Sequence, residues 1–204
     1  MWIVDLSFVQ AESQEGPRMS SVTQAKATLD DLHRVEGKAE LISGRIVHLM
    51  PTGYKPNRVA GVIYRSLDDH AMAAGRGVAF TYNMGFAVPE LSSGRQSFSP
   101  DSSYYIGPLP QDDMDFVEGP PTLAVEVRSK SDYGASAEAK MAAKRADYFE
   151  AGTKVVWDVD PEAQLIRSYR SPTPDRPTVF SAGQIADAEP AVPGWRLPVD
   201  RVFA

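Results

Sequence analysis

Leu123-Ala124-Val125-Glu126-Val127-Arg128 is an apolar strand with a carboxylate at its centre, and an alanine-rich segment and a second apolar run follow it. Strand alternation sets Leu123, Val125 and Val127 on one face and Ala124, Glu126 and Arg128 on the other. A carboxylate in so apolar a strand is costly to bury unless a metal ion or an arginine compensates it. On this strand alone, Glu126 is either the partner of an arginine such as Arg128 or part of a functional centre. Ala135 to Ala151, stopped by Gly152, reads as a helix, and Val155-Val156-Trp157-Asp158-Val159 as the next strand. A strand–helix–strand unit over 123–159 predicts an α/β, or α+β, layered domain: a central mixed β-sheet flanked by helices.

The flanking sequence fits that frame. Thr28 is placed to cap a short helix through Leu29, Leu32 and Val35, closed by Gly37. Two short apolar runs, 39–42 and 45–50, surround Ser43-Gly44 and predict a β-hairpin. Pro51 to Pro56 reads as a loop, and residues 57–73 space Val59, Val62, Ile63 and Leu67 as a helix ending at Gly75. Strands are expected at 78–82, 85–88 and 102–106, then an acidic, proline-bearing loop over 107–121. Leu165 to Tyr169 pairs with the strand before it, and short strands and proline-rich turns complete the chain. One domain is expected over 19–204. Residues 1–18 are polar and unpatterned after a brief apolar start and read as a disordered or over-extended leader.

The 204 residues include no cysteine, which excludes disulfide frameworks, thiolate metal sites and cysteine nucleophiles, and fits a cytoplasmic location. No apolar run is long enough to span a membrane. The formal charge of −6 argues against tight non-specific DNA binding, although a centre built from carboxylates would itself push the balance negative. His33, His48 and His70 lack metal-ligand spacing, and no phosphate-binding glycine loop or nucleophile elbow occurs.

Two further acids accompany Glu126. Asp101 follows Pro100 at the start of a strand, a position suited either to ligating a cation at a sheet rim or to ordinary turn chemistry. Glu40 sits in the short apolar strand Ala39-Glu40-Leu41-Ile42, where alone it reads as a solvated edge residue. On the helix after the Glu126 strand, Lys140, Lys144 and Tyr148 share one stripe. That stripe is a solvated lysine face unless it turns toward the strand ends.

Pro100-Asp101 followed by Glu126-Val127-Arg128 resembles the PD-(D/E)XK nuclease motif. The longer pattern resembles the bacterial Uma-type restriction endonuclease family: Glu40 to Val47, Ser99-Pro100-Asp101, Gly119 to Ser129, Lys144 to Tyr148, Val156 to Pro161 and Pro193 to Pro198. The resemblance implies a restriction-endonuclease-like fold, DNA as substrate, a homodimer, and Mg²⁺ (or Mn²⁺) held by Asp101 and Glu126 with Glu40 in support. It also matches Lys144 to a lysine that the family carries on the following helix. The chain departs from the pattern twice. Arg128 stands at the motif's lysine position and cannot act as a base, though it could stabilise a phosphate. Asn57 stands where the family tends to carry a histidine. These departures keep open an alternative, a catalytically inactive nuclease-like module acting through dimerisation or a protein partner. As a test of the leader, a chain beginning at Met19 should melt within a few degrees of the full chain, and a large loss of melting temperature would make the leader part of the core.

Overall fold

The computed structural model describes residues 25–204, so the expectation for residues 1–18 lies outside the described residues. The first half of the chain forms helix α1 (Leu29–His33), strands β1 (Ala39–Ile42) and β2 (Arg45–His48), helix α2 (Tyr54–Ala74), and strands β3 (Val78–Thr81), β4 (Phe86–Ala87), β5 (Ser97–Phe98) and β6 (Ser102–Tyr105). Strands β7 (Val117–Glu118) and β8 (Leu123–Val127), helix α3 (Ala135–Ala151) and strands β9 (Val155–Asp160), β10 (Leu165–Arg170) and β11 (Thr173–Phe180) follow. Strands β12 (Ile185–Ala186) and β13 (Leu197–Pro198) and helix α4 (Val199–Phe203) close it.

Six strands build the central sheet in the order β11-β10-β9-β8-β6-β3. β8 and β9 run parallel, as a helical crossover through α3 requires, and the other neighbours are antiparallel. This is the mixed sheet expected from the sequence. Strand alternation then sorts the core. Leu123, Val125 and Val127 of β8, with Trp157 of β9, pack against Val59, Ile63 and Leu67 of α2 and against Trp195 and Val199. Trp157 and Trp195 stack there with centroids 4.9 Å apart. On the opposite face Ala124 and Val156 pack with Tyr148 of α3 and with Phe86, Phe98 and Val117 of the small β5-β4-β7 sheet.

Three boundaries differ from the sequence expectation, each for a local reason. Helix α2 begins at Tyr54 rather than 57, because Pro56 falls in the first turn, where its missing N–H removes no helical bond. Val117-Glu118, inside the expected loop, pairs in parallel with β4. The proline-rich stretch after Ser171 is an eight-residue strand, β11, rather than short turns. It lies at the edge of the sheet, where prolines are tolerated.

The hairpin β1–β2 carries Glu40 and is fixed both at its turn and along its flank. Ser43 and Gly44 adopt φ of 51° and 66°, the left-handed pair that a two-residue hairpin turn needs. The resulting register sets Glu40 opposite Val47. Bonds from Ser43 N to Gly94 O (2.6 Å) and Gln96 N to Leu41 O (2.8 Å) then pin the hairpin to the segment around Arg95.

Candidate active site

Asp101 and Glu126 are brought together by the β6–β8 ladder. The Asp101 N–H donates to Val125 O at 3.0 Å, which extends the pairing one residue beyond Ser102. Its Oδ2 accepts the Val127 N–H at 2.9 Å, so the Asp101 carboxylate is fastened to the residue next to Glu126. Oδ1 pairs with Lys38 Nζ at 2.9 Å. Glu126 Oε1 accepts the Tyr148 hydroxyl at 2.6 Å and lies 2.8 Å from Lys144 Nζ.

Glu40 is buried at the other end of the same network. Its Oε1 pairs with Lys144 at 3.0 Å and accepts the Ser99 N–H at 3.1 Å. Its Oε2 receives a short bond from Arg95 Nη1. Arg95, also buried, donates through Nε to Asp147 Oδ2 at 2.8 Å and rests on the Phe98 ring. Phe98 in turn stacks on Tyr148. Of the helical stripe on α3, Lys144 and Tyr148 face the sheet while Lys140 is exposed. A single ammonium thus joins β1, β8 and α3.

The electrostatics follow from this pairing. Burial would raise the Glu40 carboxyl, but Lys144 and Arg95 outweigh it and hold its pKa below the ordinary glutamate value of 4.5. Glu40 therefore stabilises the fold above pH 4.5, a contribution lost as the pH falls through the lower folded pKa. Glu126 behaves oppositely. Burial, with Asp101 as a like charge, raises its pKa despite Lys144, so its contribution to stability is present at low pH and lost as the pH rises through the raised value. Burial opposes the Lys144 charge, yet Glu126 and Glu40 prevail and raise its pKa. The Tyr148 hydroxyl, buried and beside Glu126, stays protonated.

Arg128 shares the Glu126 face but is engaged elsewhere. Its guanidinium grips Asp158 through two 2.7 Å bonds and donates to Glu138, with Tyr133 beneath it. Asn57 is exposed in the first turn of α2. Glu40, Asp101, Glu126 and Lys144 line one cavity of about 920 Å³, walled by the β2–α2 connection on one side and by α3 and the β8–α3 loop on another.

The sequence model of the Uma2 family, described as "Putative restriction endonuclease", matches residues 28–200. The chain belongs to the Uma2 family. A crystal structure from Anabaena variabilis ATCC 29413, described as "a putative nuclease belonging to DUF820", matches with a TM-score of 0.66 at 20% identity, covering 86% of this chain and 97% of that one. That likeness shows that the two chains share a fold. No curated protein matches the sequence. Among the described residues no helix is long and apolar enough to cross a membrane.

The Uma2 fold family implies a divalent metal, and the donors present fit one. Asp101 and Glu126 offer hard oxygens toward the cavity. Among the described residues no group of three His, Cys, Asp or Glu converges on one point. That is compatible with Mg²⁺, which is commonly held by one or two carboxylates and completes its shell with water and substrate phosphate. Arg95, Lys38 and Asp147 of this Uma2 site escaped the sequence reading. Arg95 lies in a turn-like stretch and reaches Glu40 across 55 positions, and Lys38 reaches Asp101 across 63. No local periodicity signals either contact. Because Arg95 neutralises two buried carboxylates at once, Arg95→Met should cost about 3–5 kcal/mol of unfolding free energy in urea titrations. A loss below about 1 kcal/mol, the range of an exposed ion pair, would show that the network is not a structural element.

Proposed function

We propose that this Uma2 chain is a DNA endonuclease that depends on Mg²⁺ (or Mn²⁺) held at Asp101 and Glu126, working as a homodimer in the cytoplasm. The observation that carries the reading is the Lys144 ammonium, 2.8 Å from Glu126 and 3.0 Å from Glu40, in the cavity that Asp101 also lines. A fixed cation beside a carboxylate pair is what hydrolysis of a phosphodiester needs, because negative charge builds on the phosphate as water attacks. The divalent ion would supply an activated water and further charge neutralisation. Dimerisation and the cytoplasmic setting rest on the family resemblance and on the absence of cysteine.

The chain's own groups divide the work. Asp101 and Glu126 provide oxygen donors, the first aligned by the Val127 N–H and the second by the Tyr148 hydroxyl. Lys144 keeps its proton, since the two carboxylates favour the charged form, and so serves as a positive charge rather than as a base. Exposed Lys130 and Lys140 also line the cavity and offer a cationic approach to phosphates in a chain whose overall charge is −6.

One observation favours the alternative, an inactive nuclease-like module acting through dimerisation or a protein partner. Arg128, at the motif's lysine position, is bound up by Asp158 and Glu138 and has little freedom to reach a phosphate. Cleavage of supercoiled plasmid separates the two readings. With Mg²⁺ or Mn²⁺ the chain should nick DNA, and EDTA should abolish the activity. Lys144→Ala, confirmed as folded by circular dichroism, should lower the rate by ~10²-fold or more, the scale of a lost electrostatic group, with Lys140→Ala doing much less. Equal, small effects from the two would remove Lys144 from the mechanism. No metal-dependent cleavage by the unmutated chain would favour the inactive module.

A further inference from the structure

We infer that Lys38 is the resident counter-ion of the Asp101–Glu126 pair, seated where a divalent cation binds and displaced when one arrives. This rests on the proposed metal site at Asp101 and Glu126 and adds a residue that competes with the metal.

Lys38 Nζ lies 2.9 Å from Asp101 Oδ1, with both side chains about one-fifth exposed. Its charge also acts on Glu126, and it lines the cavity of the acidic pair. The two lysines of the site differ in how firmly they are held. Lys144 is clasped by two carboxylates, and taking it away would strip a buried Glu40 of one of its cations. Lys38 meets one partner among the described residues, on a flexible stem, so its departure leaves no buried charge without a cation. Its backbone is anchored separately, with Lys38 O accepting the Leu49 N–H at 2.8 Å, and the side chain can swing without moving the strand.

The carboxylates are built to survive that exchange. Asp101 keeps its orientation through Oδ2 on the Val127 N–H, which leaves Oδ1 as the oxygen that Lys38 covers. Glu126 receives both Tyr148 and Lys144 on Oε1, and among the described residues no hydrogen bond or ion pair ends on Oε2. Asp101 Oδ1 and Glu126 Oε2 are then the donors open to a cation. The charge count agrees. Four carboxylates (Glu40, Asp101, Glu126, Asp147) face three cations (Lys38, Arg95, Lys144), and withdrawal of Lys38 leaves two negative charges, which one divalent ion neutralises.

Calorimetric titration of Mn²⁺ into the full chain, with no DNA present, tests this. Lys38→Met should bind Mn²⁺ at least about tenfold more tightly than the unmutated chain, because a contact charge competing for the same oxygen is gone. Lys140→Met, which removes the same charge from the exposed rim, should change affinity by less than about threefold, since exposed charges are screened. Asp101→Asn should abolish binding in either background. Equal effects of Lys38→Met and Lys140→Met would reduce Lys38 to a long-range charge and overturn the inference while leaving the metal site intact. Weaker binding in Lys38→Met would overturn it too, by making Lys38 a support of the metal. If neither the unmutated chain nor Lys38→Met binds Mn²⁺, the metal-site reading fails and the inference with it.

Discussion

The ammonium of Lys144, held between Glu40 and Glu126, lets a buried carboxylate and a partly buried one stand together where a sheet meets a helix. Removing a carboxylate from water costs several kcal/mol even after the protein relaxes, and only close opposite charge with full hydrogen bonding offsets it. Lys144 supplies the opposite charge to both acids, Arg95 and the Ser99 N–H complete the bonding of Glu40, and the Tyr148 hydroxyl adds to Lys144 on one oxygen of Glu126. These contacts tie α3 to β8, its neighbour in sequence, and to β1, about a hundred residues earlier. The hairpin and the second half of the domain are therefore joined through charge as well as through apolar packing.

This arrangement also fixes what each group can do. Burial raises the Glu126 pKa and ion pairing lowers that of Glu40, so two glutamates sharing one lysine are pushed in opposite directions. Glu40 has both oxygens engaged, by Lys144, Arg95 and the Ser99 N–H. Glu126, with one oxygen engaged and a more open side chain, is the one that can take a further ligand. Arg128, although it stands at the motif's lysine position, braces β8 to β9 and α3 instead.

Much of the fold could be read from residue order because its signals are local. The alternation around Glu126 correctly separates the two core faces, and Thr28 caps α1 with the reciprocal box that Asp31 completes. The prolines of β11 misled, since a proline reads as a turn unless one knows that the strand is at an edge and its missing donors are unneeded. The candidate site was legible only in part. Glu40, Asp101, Glu126 and Lys144 stand out as charges within apolar or motif contexts, and the structure gathers all four around one cavity. Arg95 and Lys38 could not be found this way. Each pairs with an acid more than fifty positions distant, and the contact exists only once the hairpin docks and the β6–β8 ladder forms.

Asp101 and Glu126 together are proposed to form the cation site. Anomalous diffraction from crystals soaked in Mn²⁺ tests it most directly. A strong peak should appear between the two carboxylates, at metal–oxygen distances of about 2.0–2.6 Å, with Lys38 swung away from Asp101. Saturating Mn²⁺ with no peak there, or a peak confined to other acids such as Asp112 and Asp115, would contradict it.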